Sequence, residues 1–279
     1  MALVIKENCW RWDTNVESYF VKYYAQVQTV QKVRRVHECL ASIDFPHHIS
    51  LVKNLDPQTI IQPWMDAKSA NYDDTLHRQK AVIALQALHE TRKHINWQQQ
   101  PQISQMDLKM KWVQRYERFV QHEEELRQWI GRYYDKIVEM ASDALQSIQA
   151  LQLVPEPLTL LHGDVVHHNV LMKENHAVLI DFDLATVGEA SDEMILWVLR
   201  TLPNVDYKLE TLLHAHPYLK IIQPKLKYLL FPNECMREAL YMLRLNEAQR
   251  QHFLTFLLPF IKDAVDKRPA LEQDINLLK

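Results

Sequence analysis

Residues 3 to 24 alternate and cluster as short strands do. "CWRWD" and "SYFVKYY" are rich in aromatic and β-branched residues and flank the turn-like "TNVE". The period then changes. In "VQTVQKVRRVHECLAS", residues 27 to 42, the positions Val27, Val30, Val33, His37 and Leu40 recur at helical spacing. "HISLVKN" and "TIIQPWM" predict two further strands, with Pro63 at a crossover. Residues 1 to 65 therefore read as a small β-rich layer with one helix.

Beyond Asp66 the pattern is mostly helical. "NYDDTLHRQKAVIALQALHETRKH" opens on capping residues and carries an apolar face. After "QQQPQ", apolar residues at 112, 116, 119, 126, 130, 133, 137, 140, 144 and 148 step by three, four or seven, with Gly131 as a candidate break and "VPEP" as the stop. Three strands follow, in "LTLLHGD", "NVLM" and "AVLIDFD", and helices resume from about 189 to the end. The expectation is an α+β chain. Its small N-terminal lobe would occupy 1–65, and a helical C-terminal lobe, 66–279, would carry an inserted hairpin.

Composition narrows the function. A formal net charge of -3 without a basic stripe argues against a nucleic-acid partner. Cys9, Cys39 and Cys235 are far apart and lack CxxC spacing, which excludes a disulfide framework and a zinc knuckle and fits a reduced compartment. No apolar run approaches the roughly 18 residues of a membrane span, so no membrane partner and a cytoplasmic location are expected. There are 3 glycines, where average usage of roughly 7% would give about twenty. Neither GxGxxG nor a Walker-type loop can be built from them.

The candidate chemistry lies in "LLHGDVVHHNVLMKENHAVLIDFDLA", residues 160 to 185. Asp164 sits in a tight loop after an apolar strand, Asn169 opens the next strand, and Asp181 ends the third. Carboxylates at the ends of apolar strands cost free energy unless charge or hydrogen bonds compensate. A carboxylate and an amide that face each other are also the hard oxygen ligands that Mg²⁺ takes. The run HGD-x4-N, followed by an apolar strand and I-D, resembles the aminoglycoside phosphotransferase and choline kinase-like family, relatives of the protein kinases. Its "HHN" and "IDFD" look most like the branch with bacterial spore-coat-associated kinases. The resemblance implies a two-lobed protein-kinase-like fold, ATP and Mg²⁺ as cofactors, and phosphoryl transfer to a hydroxyl of a small molecule. It implies Asp164 as catalytic base and Asn169 and Asp181 as metal ligands. It also asks for a strand lysine held by a helical glutamate. Lys22 in "SYFVKYY" and Glu38, the only acid of the helix at 27–42, supply that pair.

Several positions admit plainer readings. His162 suits a bond to loop backbone, His167 and His168 point opposite ways and suit solvent, and Asp183 either assists the metal or caps the next helix. Asp181, Asp183, Glu189, Asp192 and Glu193 form a base-free run whose field would suit a cationic acceptor, although acids at a helix start are ordinary. Asp192 is a candidate for the structural part of the family's second aspartate. Only 21 residues precede Lys22, and the turn around "KEN" at 6–8 has no glycine. That short clamp keeps open a kinase-fold protein without catalysis, such as a coat protein. A phosphohydrolase with a transition metal on the histidines and aspartates is the third reading.

Overall fold

Strand-forming residues at the start of the chain pair into a four-stranded antiparallel sheet in the order β1–β2–β3–β4. The strands are β1 (Ala2–Lys6), β2 (Cys9–Asp13), β3 (Ser18–Tyr23) and β4 (Thr59–Pro63). The structure, a computed structural model, describes residues 2–278. The β1–β2 connection is the two-residue turn Glu7–Asn8, where Asn8 takes φ 60°. Asparagine tolerates that left-handed region, so the turn closes without glycine. Helix α1 (Val27–Ala41) lays Val30 and Val33 on Tyr24 and Ile60, with Leu51 packed alongside.

The strand expected in "HISLVKN" does not form. That segment makes one backbone–backbone bond to the sheet, from the Val52 amide to the Ile61 carbonyl at 2.8 Å. Polar side chains satisfy the nearby carbonyls that another strand would have used. Arg34 Nη2 donates to Asp56 O (2.5 Å) and Thr59 O (3.1 Å), and Asn54 Nδ2 also donates to Thr59 O (3.3 Å).

Helix α2 (Thr75–Glu90) starts where Asp74 accepts from the Leu76 amide, and it buries Ala81, Val82, Leu85, Leu88 and His89. The expected hairpin is present as β7 (Val170–Met172) against β8 (Ala177–Leu179), extended on one side by the short β5 (Lys68–Ser69). Strand β6 (Leu158–Leu161) is not part of that sheet. It pairs with β9 (Thr186–Glu189), a strand in "ATVGE" that apolar patterning did not distinguish from a loop.

The helical pattern at 108–149 is three helices, α3 (Leu108–Gln121), α4 (Glu123–Ile130) and α5 (Tyr133–Gln149). The break at Gly131 is conformational. Its φ is +54°, while a Cβ there would meet nothing within 4 Å. The remaining helices are α6 (Ala190–Thr201), α7 (Leu209–Ala215), α8 (Asn233–Met242) and α9 (Glu247–Leu277). Trp112 stacks on Phe231 at 4.6 Å and Phe119 on Tyr134 at 5.4 Å in this helical core. Among the described residues, no helix is long and apolar enough to cross a membrane.

The chain divides into one unit of residues 1–105 and 156–193, and a second of 106–155 and 194–279. The expected boundary at 65/66 does not coincide with this division. Helix α2 and the strands from β6 to β9 belong to the N-terminal sheet's unit: α2 covers β6 and β8, and Lys22 of β3 meets Asp181 and Asp183. All five candidate site residues belong to this first unit.

Candidate active site

The Asp164 loop is built on main-chain constraints. Gly163 has φ +81°, and a Cβ there would stand 1.9 Å from the Leu184 carbonyl oxygen, so only glycine fits. Its amide donates to Glu193 Oε1 at 2.7 Å, and His89 Nε2 donates to Glu193 Oε2 at 2.8 Å. Glu193 is 1% exposed and His89 0%, so the loop hangs on a fully enclosed pair. Burial works to raise the Glu193 carboxyl, but the bond and charge of His89, with the Gly163 amide, hold it below its ordinary range. Thr159 ties β6 to the same point by donating to the His89 carbonyl.

Asn169 joins the loop to the hairpin. Its Nδ2 donates to Asp164 Oδ2 and to the Asp164 carbonyl, both at 3.1 Å, and its own carbonyl accepts from the Ile180 amide at 3.0 Å. Both acceptors on Asp164 can only accept, which leaves Asn169 Oδ1 as the oxygen available for another partner. His162 has the structural place expected of it. Nε2 donates to the Ile180 carbonyl at 2.8 Å, and the ring packs on Phe182 at 4.8 Å. His167 and His168 are exposed.

Asp181 adopts φ 65° and ψ 63°, the left-handed region that aspartate, like asparagine, tolerates. It meets Lys22 Nζ at 2.9 Å, and Asp183 meets the same ammonium at 2.6 Å. Asp183 also accepts from Tyr24 Oη at 2.6 Å, and Lys32 donates to its backbone carbonyl. Burial opposes charge on all three groups of this cluster. For Asp181 the Lys22 charge outweighs burial and the carboxyl lies below its ordinary value. Burial and then the Asp181 charge push Asp183 above its ordinary value. Lys22 ends above its ordinary value because Asp181 and Asp183 overcome its burial. Of the two carboxyls, Asp181 is the stronger acid.

Glu38 is not part of this cluster. Its side chain is 64% exposed and lies 3.4 Å from Arg35 on the same helix. The expected Lys22–Glu38 pair is replaced by Lys22 with Asp181 and Asp183. The helical period explains it: Val30, Val33 and His37 face inward, and Glu38 follows His37 by a 100° step. The inward place belongs to His37, edge-on to Phe182 at 5.3 Å and lowered by burial to about 3, hence neutral.

The acidic run is not one exposed field either. Glu193 is enclosed, Asp192 is 6% exposed, Glu189 accepts from the Glu156 amide, and Asp181 and Asp183 are held by Lys22. Glu193 is a buried acid that holds the glycine loop. Sequence reasoning placed Glu193 only in the acidic run, and missed its hold on the loop together with His89, Tyr24 and Lys32. The one available signal was His89, a polar residue within the apolar face of α2.

A cavity of about 380 Å³ joins these groups. Phe20, Ile49, Ile60, Leu171 and Ile180 form apolar walls, and Lys22, Asn169, Asp181 and Asp183 form a polar end. Asn169 Oδ1 and the ionised Asp181 carboxylate are hard oxygen donors that fit Mg²⁺ with water completing its shell. This donor set is not the imidazole or thiolate set that zinc, copper or iron favours. Among the described residues, no group of three or more His, Cys, Asp or Glu is arranged to hold a metal ion.

An antiparallel sheet whose lysine meets the aspartate after a β-hairpin, with an Asp-x4-Asn loop before it, defines a phosphotransferase of the protein-kinase-like fold. The phosphotransferase enzyme family (APH) matches residues 4–204, and the chain belongs to it. Solved structures agree in fold. The aminoglycoside phosphotransferase of Alicyclobacillus acidocaldarius shares 14% identity at TM-score 0.67, covering 99% of this chain and 92% of its own. A spectinomycin phosphotransferase in complex with ADP and spectinomycin shares 15% at 0.66, covering 98% and 93%. The choline kinase LicA of Streptococcus pneumoniae shares 11% at 0.58, covering 95% and 94%. No curated protein matches the chain.

Proposed function

We propose that this protein is an ATP-dependent phosphotransferase that moves the γ-phosphate to a hydroxyl of a small molecule. The observation that carries the reading is the polar end of the cavity. There a sheet lysine meets two aspartates, beside an asparagine bonded to a third. Phosphoryl transfer needs little more than positioning and charge neutralisation, and these groups are of the kinds it needs.

Lys22 lies where it can neutralise phosphate oxygens, and the apolar walls suit a purine. Asn169 and Asp181 would hold Mg²⁺, which neutralises charge on the transferring phosphates when bound. Asn169 also orients Asp164 through Nδ2. Asp164 then accepts the proton of the acceptor hydroxyl. That oxygen forms its bond to the γ-phosphorus, the bond from phosphorus to the bridging oxygen breaks, and ADP leaves. Neighbours in fold named for spectinomycin, gentamicin and choline support a small acceptor, cationic ones included. Nucleotide use is supported by relatives solved with ADP and AMP.

One observation favours a second reading, a kinase-fold protein that binds nucleotide without transfer: the acid of α1 does not hold Lys22. Thermal unfolding with and without Mg-ATP, combined with turnover against a panel of amino alcohols and aminoglycosides, separates the two. Ligand at a hundred times its dissociation constant adds about 2.7 kcal/mol, a rise of several degrees for a chain of this size. The rise is expected in the wild type and lost in Asp181→Ala. Stabilisation with no turnover on any acceptor would favour the second reading, and no stabilisation at all would overturn both.

A further inference from the structure

The turn between β1 and β2 cannot work as a glycine-rich phosphate cradle. Such a cradle brings several backbone N–H groups close to the phosphates, which requires residues without a Cβ. Glu7–Asn8 has none, and the Asn8 carbonyl is already committed to the Tyr23 amide at 2.9 Å. The register of the sheet puts a different group there. Lys6 stands opposite Cys9, Cys9 opposite Lys22, and Lys22 opposite Ile60, so one row across the sheet carries both lysines on the same face. Cys9 and Ile60 between and beyond them are buried, and Lys6 lines the cavity that holds Lys22, Asn169, Asp181 and Asp183.

The three lysines of this region are not equivalent. Lys22 is bound by two carboxylates and Lys32 by the Asp183 carbonyl. Lys6 is exposed, and among the described residues its side chain makes no hydrogen bond or ion pair, while its backbone pairs with Cys9. It is nevertheless close enough for its charge to act on Asp181 and on His168. A long, unengaged ammonium that lines the cavity, two places from Lys22 in the same cross-strand row, is suited to an anion entering the cavity rather than to holding the fold.

We infer that Lys6 is a second polyphosphate-binding cation, replacing with one side-chain ammonium the backbone cradle that this turn lacks. The inference rests on the nucleotide reading of the cavity. Its ligand is the β- and γ-phosphate portion of a nucleotide, and its contribution to adenosine is nil.

Calorimetric titration of the full chain with ATP, ADP and adenosine, at two salt concentrations with Mg²⁺ present, tests it in wild type, Lys6→Met and Lys6→Arg. A charge-assisted contact at an exposed rim is worth about tenfold in affinity. Lys6→Met should therefore bind ATP about tenfold more weakly, bind adenosine as the wild type does, and lose part of the salt dependence. Lys6→Arg should restore most of the ATP affinity. An unchanged ratio of ATP to adenosine affinity in Lys6→Met would overturn the role of Lys6 and leave the nucleotide site standing. Absence of nucleotide binding in the wild type would overturn both.

Discussion

The Asp164 loop and the face of α1 lie in the same unit and are held in different ways. The loop is fixed by main-chain geometry and enclosed bonds: glycine against the Leu184 carbonyl, the Gly163 amide on Glu193, and Glu193 on His89. The α1 face is fixed by apolar packing of Val30 and Val33, and its only acid is turned to solvent. Constraint in the loop is directional and turns on a glycine that the motif itself carries, so the motif marks the loop even though Leu184, Glu193 and His89 come from elsewhere in the chain. Constraint on α1 is a matter of which stripe of a helix is buried, and a spacing of sixteen residues from Lys22 says nothing about rotation.

The largest expected effect breaks the loop's chemistry and spares its structure. Asp164→Asn should lower turnover by about 10²–10⁴-fold, the usual range for a general base, with Mg-ATP affinity near that of the wild type. Turnover equal to wild type would remove Asp164 from the mechanism. Gly163→Ala tests the structural side. Forcing a Cβ into the Leu184 carbonyl at positive φ should cost upwards of about 3 kcal/mol in denaturant unfolding, whereas a loss below about 1 kcal/mol would show that the loop can yield.

A third experiment sharpens the comparison through pH. The Glu193 carboxyl is lowered in the folded state, so its contribution is present above the unfolded value of 4.5 and fades as pH falls through the folded one. Wild type should therefore lose stability as pH drops below about 4.5, and Glu193→Gln should show a shallower fall from a lower starting point. Parallel curves for the two proteins would refute the assignment of that acid limb to Glu193. The smallest effect belongs to α1. Glu38→Ala removes an exposed pair with Arg35 and should change stability by less than about 0.5 kcal/mol and leave Mg-ATP affinity unaltered. A tenfold loss of nucleotide affinity would mean that Glu38 reaches Lys22 in the bound state after all.

The strands β2, β3 and β4, helices α1 and α2, and the hairpin β7–β8 were legible from apolar period and turn residues, and HGD-x4-N marked the loop. Strand β9 was not, because a four-residue strand paired with β6 has no period to detect in "TVGE". The extended segment at 48–55 misled in the opposite direction. Its apolar residues pack, but Arg34 and Asn54 satisfy the nearby carbonyls that another strand would have used.

The sequence by itself determined most of the elements, the family and the identity of the loop residues, because these depend on local period, on turn chemistry and on a glycine that no other residue can replace. Tertiary structure decided the partners. Lys22 meets Asp181 and Asp183 across about 160 residues of chain, and His89 meets Glu193 across 104. Neither pairing leaves a trace in spacing. Opposite charges are brought together by the packing of elements that carry them, and the rotation of α1 that excludes Glu38 was set by the burial of its valines.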